Sequence, residues 1–190
     1  YNVAQDCLEE DRLADAKFGS TRRGIGPIYG DKYLKKALRM GDLLQRDYLQ
    51  QRLKGILEWK NLTIENVYHS QPFEFEEMMQ WLDTYGAPLI PYIGDTGNYL
   101  RQAEAAGKRI MFEAQLGALR DIDFGIYPFT SSSSTIAAYA PVGAGVPNLK
   151  LDRVIGVIKA YSSCVGEGPF TVELFGEEAE ALRAAGNEYG

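Results

Sequence analysis

The stretch APLIPYIGDTGNYLRQAEAAGKRIMF, residues 87 to 112, decides how the chain reads. Ala87 to Tyr92 is a short apolar run, Gly97 to Ala106 has helical composition, and Arg109 to Phe112 is a second apolar run after the turn at Gly107. Strand, helix, strand in that order is the signature of a βαβ unit, whose strands lie parallel through a right-handed crossover. Val154 to Ala160, within VIGVIKAYSS, adds another strand because its Val and Ile content is nearly continuous rather than alternating. The expected fold class is therefore α/β, with a mostly parallel sheet.

Outward from that unit the pattern turns helical. Tyr48 to Leu57 and Glu74 to Tyr85 read as helices, the second with Met78, Trp81 and Leu82 on its apolar face. Only short polar turns join them, so a helical subdomain is expected over about residues 40 to 86. Val3 to Leu13 reads as a helix with Val3, Cys7 and Leu8 turned inward and Asp6, Glu9, Glu10 and Asp11 facing water. Glu177 to Ala185 reads as a short helix ahead of the turn-like GNEYG.

Composition bounds the function. The 190 residues are 45% hydrophobic and 24% charged, enough for one substantial core and far from a disordered chain. The net charge of −6 argues against generic binding to nucleic acid or to an anionic membrane. No apolar run approaches the roughly 18 residues of a membrane span, and the start does not resemble a signal peptide. Two distant cysteines, Cys7 and Cys164, without CxxC spacing, fit reduced thiols in an intracellular protein, with one disulfide as the alternative. Charge is nonetheless segregated. Between residues 17 and 39 seven cations oppose Asp31 alone, leaving +6 there and −12 on the rest.

That basic stretch contains GSTRRGIGPIYGDK, residues 19 to 32. Its glycines and Pro27 predict a shaped loop, and its hydroxyls, amides and arginines supply what phosphate binding needs: several donors converging on oxygens where the backbone can approach closely. It is neither a GxxxxGK[ST] loop nor a GxGxxG after a strand, and a tight loop whose arginines tie down acidic neighbours is the structural alternative. Lys32 to Leu44 is expected to resume as a basic helix. The second rich segment is MFEAQLGALRDIDFGIYPFTSSSSTIAAYAPVGAG, residues 111 to 145. Here Glu113, Gln115, Asp121 and Asp123 are candidates to position a polar substrate, and Thr130, Ser131 and the following serines candidates to contact phosphate. Capping of turns by Asp and Ser is the competing account. Asp121 and Asp123 lack a third metal ligand, and His69, the only histidine, excludes multi-His sites. Cys164 has no recognisable histidine partner and reads as a packed thiol.

Four pieces taken in order carry a family likeness: GSTRRGIGPIYGDK, then LKKALRMGDLL, then FEAQLGALRDIDFGIYPFTSSSST, then VIGVIKAYSSCVGEGPFTVELF followed by GNEYG. Together they resemble the central part of adenylosuccinate synthase, over nearly the whole chain. The resemblance implies a cytoplasmic, homodimeric ligase of purine biosynthesis. With GTP and magnesium it joins IMP and L-aspartate into adenylosuccinate, releasing GDP and phosphate, the committed step from IMP to AMP. It further implies that the GDEGKGK phosphate loop, the catalytic aspartate and histidine, the metal ligands and the guanine-recognition motif lie outside residues 1 to 190. Residues 1 to 190 are then the central part of one catalytic domain, with an incomplete sheet and no turnover in isolation. A noncatalytic phosphate-binding or dimer-assembly domain is the alternative.

By the same resemblance, Ser20 and Thr21 fall on the hydroxyl positions of a phosphate loop. Lys35 falls where an arginine usually reaches the IMP of the neighbouring subunit, with Arg39 the second basic candidate. Gln115 falls beside the IMP base as the one catalytic-site residue, displaced by one position from the family's FEGAQG. The phosphate-contacting threonine falls on Ser131 by spacing or Thr130 by identity, and Val165 on a nonpolar ribose contact. No metal ligand is assigned within the chain.

Overall fold

The computed structural model describes residues 1 to 188, so Tyr189 and Gly190 of the GNEYG end lie outside the described residues. Among the described residues seven α-helices follow one another: α1 (Asn2–Leu13), α2 (Ile25–Leu34), α3 (Arg46–Asn66), α4 (Phe75–Trp81), α5 (Thr96–Ala105), α6 (Ala140–Gly143) and α7 (Gly176–Gly186). Helix α3 is the longest, and its apolar residues explain why. Leu49, Leu53, Leu57 and Ile64 recur at helical spacing, and all are buried. The first three form a core with Met79 of α4, flanked by Leu38, Leu43, Phe73, Phe75, Met78 and Leu82. Each such side chain contributes about 1.5–3 kcal/mol by leaving water. Asn61 pins the turn between the two helices: its amide nitrogen donates to the Phe73 carbonyl at 3.0 Å and its carbonyl accepts from the Phe73 N–H at 3.0 Å.

A buried polar hub ties the first three helices together. The Lys60 ammonium of α3 pairs with the Asp31 carboxylate of α2, and both side chains are nearly inaccessible. Asn2 of α1 donates to the same carboxylate at 2.6 Å, while Lys60 Nζ lies 4.4 Å from the centre of the Tyr1 ring. Lysine buried with a carboxylate, an amide and an aromatic face is satisfied, and that permits its burial. On the outer side of α3 the Lys36 ammonium sits 4.9 Å from the Trp59 ring centre, and Trp81 meets Tyr85 at 5.3 Å.

The expected parallel sheet is absent: no β-ladder occurs among the described residues. This corrects the α/β assignment, and the three segments fail for different reasons. Ala87–Tyr92 winds into a 3₁₀ turn continuing from a π turn at Leu82–Gly86. Pro88 and Pro91 lack the N–H groups a ladder consumes, so this run was a poor strand from the outset. Arg109 to Phe112 and Val154 to Ala160 have no helix and no ladder. Val157 and Ile158 are 92% and 91% exposed, so the second run lies bare where a central strand would be buried on both faces.

Other boundaries shift too. The glycine-rich loop ends at Gly24 rather than Lys32, because Pro27 falls in the first turn of α2, where its missing N–H costs nothing. The basic helix expected from Lys32 stops instead at Lys35, whose φ of 60° closes α2 in the left-handed region, and Met40–Leu44 forms a separate 3₁₀ turn. Asp6 and Glu10 are not solvent-facing: they are 7% and 4% exposed, whereas Val3 is 53% exposed. No described helix is long and apolar enough to cross a membrane.

Candidate functional site

The loop from Phe18 to Gly24 is shaped from beneath by α1. Glu10 accepts the N–H groups of Phe18 at 3.2 Å and Gly19 at 3.0 Å. Asp6, one helical turn earlier, accepts the Ser20 hydroxyl at 2.8 Å and the Gly24 N–H at 2.8 Å. Glycine is required at both ends. Gly19 and Gly24 have φ of 68° and 77°; a Cβ on Gly19 would lie 2.7 Å from Gly166 Cα, and one on Gly24 2.8 Å from the Val3 nitrogen.

This bracing sorts the loop's polar groups. Ser20 points inward, its hydroxyl donating to Asp6 and accepting the Arg22 N–H at 3.1 Å. Arg22 is spent on Asp11, 2.7 Å away. Thr21 and Arg23 are exposed and take no partner among the described residues. Immediately after them α2 begins, and its first amides are left open by helix geometry, carrying the positive end of the helix dipole. The structural alternative for the arginines therefore holds for Arg22 and not for Arg23.

Two other segments close on this loop. Gly26 approaches the serine run so closely that its Cβ would lie 3.5 Å from Ser132 Oγ. Within that run Ser131 Oγ and Ser133 Oγ are 3.1 Å apart, and Gln115 donates to Ser133 Oγ at 3.3 Å. Gln115, Ser131 and Ser133 thus form one chain of side-chain contacts, while Thr130 is half-buried and outside it. From the other side, the Glu167 N–H donates to the Phe18 carbonyl at 2.9 Å, bringing the turn after Val165 against Gly19. Val165 is 42% exposed. Ser20, Thr21, Ser131, Gln115 and Val165 accordingly belong to three neighbouring segments. Lys35 and Arg39 do not join them: both are exposed beyond the far end of α2, whose ten residues span about 15 Å. The Lys35 carbonyl accepts from Arg52, and the Arg39 N–H donates to Asp42 at 2.8 Å.

The segment from Arg120 to Ile136 is organised by a residue read from sequence as a candidate to position substrate, with turn capping as the alternative. Asp121 is fully buried, and its carboxylate accepts four backbone N–H groups: Asp123 at 2.9 Å, Phe124 at 3.1 Å, Thr135 at 2.7 Å and Ile136 at 3.4 Å. Desolvation pushes its pKa up, but the four hydrogen bonds to the ionised form outweigh it and hold the group below the ordinary aspartate range. A carboxylate with those partners has no capacity left for a metal ion. No group of three or more metal-ligating side chains is assembled among the described residues. Arg120, which sequence reasoning passed over, contacts the Phe129 carbonyl and Cys164 Sγ, joining this segment to the one carrying Val165. Cys7 and Cys164 are both free thiols. A cavity of about 330 Å³ lies apart from the loop, lined by Tyr161, Cys164, Phe170, Leu182 and Glu188.

Comparison with known proteins bears on this arrangement directly. The family model for adenylosuccinate synthetase matches residues 1 to 190. Adenylosuccinate synthetases of Symbiobacterium thermophilum and Lactococcus lactis subsp. cremoris are 46% and 43% identical to the chain over 190 residues, all of this chain and 44% of each relative. The structure of fully ligated adenylosuccinate synthetase from Plasmodium falciparum superposes with a TM-score of 0.88 at 30% identity, again over the whole of this chain and 44% of that one. A helical chain whose glycine loop is braced by carboxylates is thus a member of a ligase family: it belongs to the adenylosuccinate synthetase family. It spans a little under half the length of these relatives.

Proposed function

We propose that the chain supplies the IMP-holding face of an adenylosuccinate synthetase, and that the reaction is completed by parts of the enzyme beyond these residues. The observation that carries this reading is the sorting of the loop: Ser20 is held inward by Asp6 and Arg22 is paired with Asp11 at the surface, leaving Thr21 and Arg23 at the open start of α2. Those donors suit the 5′-phosphate of a nucleotide: a hydroxyl, a guanidinium and helix amides converging on one dianion. Ser131 lies on the neighbouring serine run as a further phosphate donor and takes precedence over Thr130, being linked to Gln115 through Ser133. Gln115, at the same end, orients the base through its amide, and Val165 meets the ribose.

The step that IMP undergoes requires its C6 oxygen to be phosphorylated from GTP and then displaced by the aspartate nitrogen. Magnesium neutralises the transferred phosphoryl charge in such reactions. The donor set here does not fit that metal, since Asp121 is spent on backbone and Asp123 gathers no further ligands among the described residues. No step through magnesium or GTP is therefore assigned to this chain, and taken alone it acts as a phosphate-binding and assembly unit. Lys35 and Arg39, beyond the far end of α2, belong to the assembly role: a basic element reaching a second subunit's IMP across a homodimer.

The test is steady-state kinetics on the full-length protein. Thr21→Ala is expected to raise the KM for IMP about tenfold or more with the KM for GTP unchanged, corresponding to one charge-assisted contact of about 1.5–3 kcal/mol. Gln115→Ala should impair IMP use in the same selective way. Unchanged IMP parameters in both variants reject this face as the IMP site.

A further inference from the structure

We infer that Asp6 and Glu10 are positioning residues for the phosphate loop, acting through its backbone rather than on substrate. The inference rests on the reading of residues 18 to 24 as an IMP phosphate site and adds to it two residues that have no part in binding. Buried carboxylates beneath an anion site are electrostatically adverse, because each repels the phosphate it lies near. Their presence calls for a compensating role, and the geometry provides one. They lie four residues apart on one face of α1, and between them they consume the Phe18, Gly19 and Gly24 amides and the Ser20 hydroxyl. Every donor drawn inward is one that cannot compete for the ligand or let the loop rotate. Thr21 and Arg23, between the anchored positions, are thereby turned outward.

The loop has no regular structure to hold it. Arg22, in its middle, has φ of 56°, a left-handed conformation that a non-glycine residue keeps only when its neighbours enforce it. The carboxylates do what a strand ladder or helix would otherwise do.

Positioning and charge are separable by substitution in the full-length protein. Glu10→Ala removes both acceptors and the charge, whereas Glu10→Gln removes the charge and keeps one carbonyl oxygen, able to accept one of the two amides that the two carboxylate oxygens now accept separately. Asp6→Ala and Asp6→Asn make the equivalent pair. Each alanine variant is expected to raise the KM for IMP by about ten- to a hundredfold, the scale of a misplaced binding group. The KM values for GTP and aspartate should stay within about twofold, and Glu10→Gln, which keeps one of the two acceptors, should recover part of the loss.

The readings fail separately. If Thr21→Ala raises the KM for IMP and neither alanine variant does, the positioning role is wrong and the phosphate site stands. If Thr21→Ala has no effect, the phosphate site is wrong and the positioning role falls with it. Equal loss for Gln and Ala at residue 10, or a parallel rise in all three KM values, also overturns the inference. Should the alanine variants not fold, Ser20→Ala removes only the hydroxyl between Asp6 and the Arg22 amide. It is expected to raise the KM for IMP at unchanged melting temperature, and no change in that KM overturns the inference.

Discussion

Residues 1 to 105 and residues 106 to 188 solve one problem in two ways. In the first part, helices satisfy backbone N–H and C=O groups locally, the core of Leu49, Leu53, Leu57 and Met79 holds α3 to α4, and the Lys60–Asp31 hub holds α1 and α2 to α3. In the second, helices are short or terminal, and the chain from Lys108 to Phe175 is mostly irregular. There Asp121, fully buried, gathers four amides from two stretches eleven residues apart, while Val157 and Ile158 lie bare. A hydrophobic core and one buried ion pair thus fix the first part, and buried carboxylates accepting backbone amides fix the loops. Asp6 and Glu10 show the second device inside the first part, at the loop that leads from α1 into α2.

Breaking the polar hub should have the largest effect. Lys60→Met leaves Asp31 buried without its cation and is expected to cost about 3–5 kcal/mol in urea unfolding, with the paired change Lys60→Met plus Asp31→Leu recovering most of it. Leu53→Ala should cost about 2–5 kcal/mol through lost burial and the cavity left behind. If either costs less than Val157→Lys, the first part is not where stability resides.

Asp121→Asn sharpens the comparison from the other side. The amides of Asp123, Phe124, Thr135 and Ile136 should exchange with deuterium faster, while those of α3 keep their protection. The pH dependence has a definite sign. A carboxylate held below its unfolded value contributes stability fully present above about pH 3.9 and lost as pH falls through the lower folded value. Acidification into that window should therefore release these four amides, and Asp121→Asn should abolish that pH dependence. The smallest effect belongs to Val157→Lys, expected within about 0.5 kcal/mol of the parent because the side chain is already in water.

What could be read from sequence follows the same division. Helices α5 and α7 were legible because period and composition agree along them, whereas α3 was read only over Tyr48 to Leu57 and runs on to Asn66 through a stretch expected to be a polar turn. The loop at Gly19 to Gly24 was legible because glycine at a left-handed φ and an arginine pair leave a compositional mark. The strands were misread because an apolar run such as VIGVIKA carries no information on what, if anything, lies beside it. Asp6 and Glu10 were misread as solvent-facing because a carboxylate on a helix usually is, and only the loop folding back shows what they hold. A signal was present: two acids four residues apart ahead of a glycine loop with more amides than local structure can satisfy. Asp121 was half-read: turn capping by Asp was weighed as the competing account, but the four amides it gathers from two stretches were not foreseen.

Both tryptophans, Trp59 on α3 beneath the Lys36 ammonium and Trp81 beside Tyr85, lie in the first part of the chain. Indole emission therefore monitors that part and is blind to everything past residue 105. A fluorescence melt would call the molecule native after the serine run had come loose, and a quencher drawn to the basic patch around Lys36 would dim Trp59 before Trp81. The chain carries its own optical gauge, wired to one end.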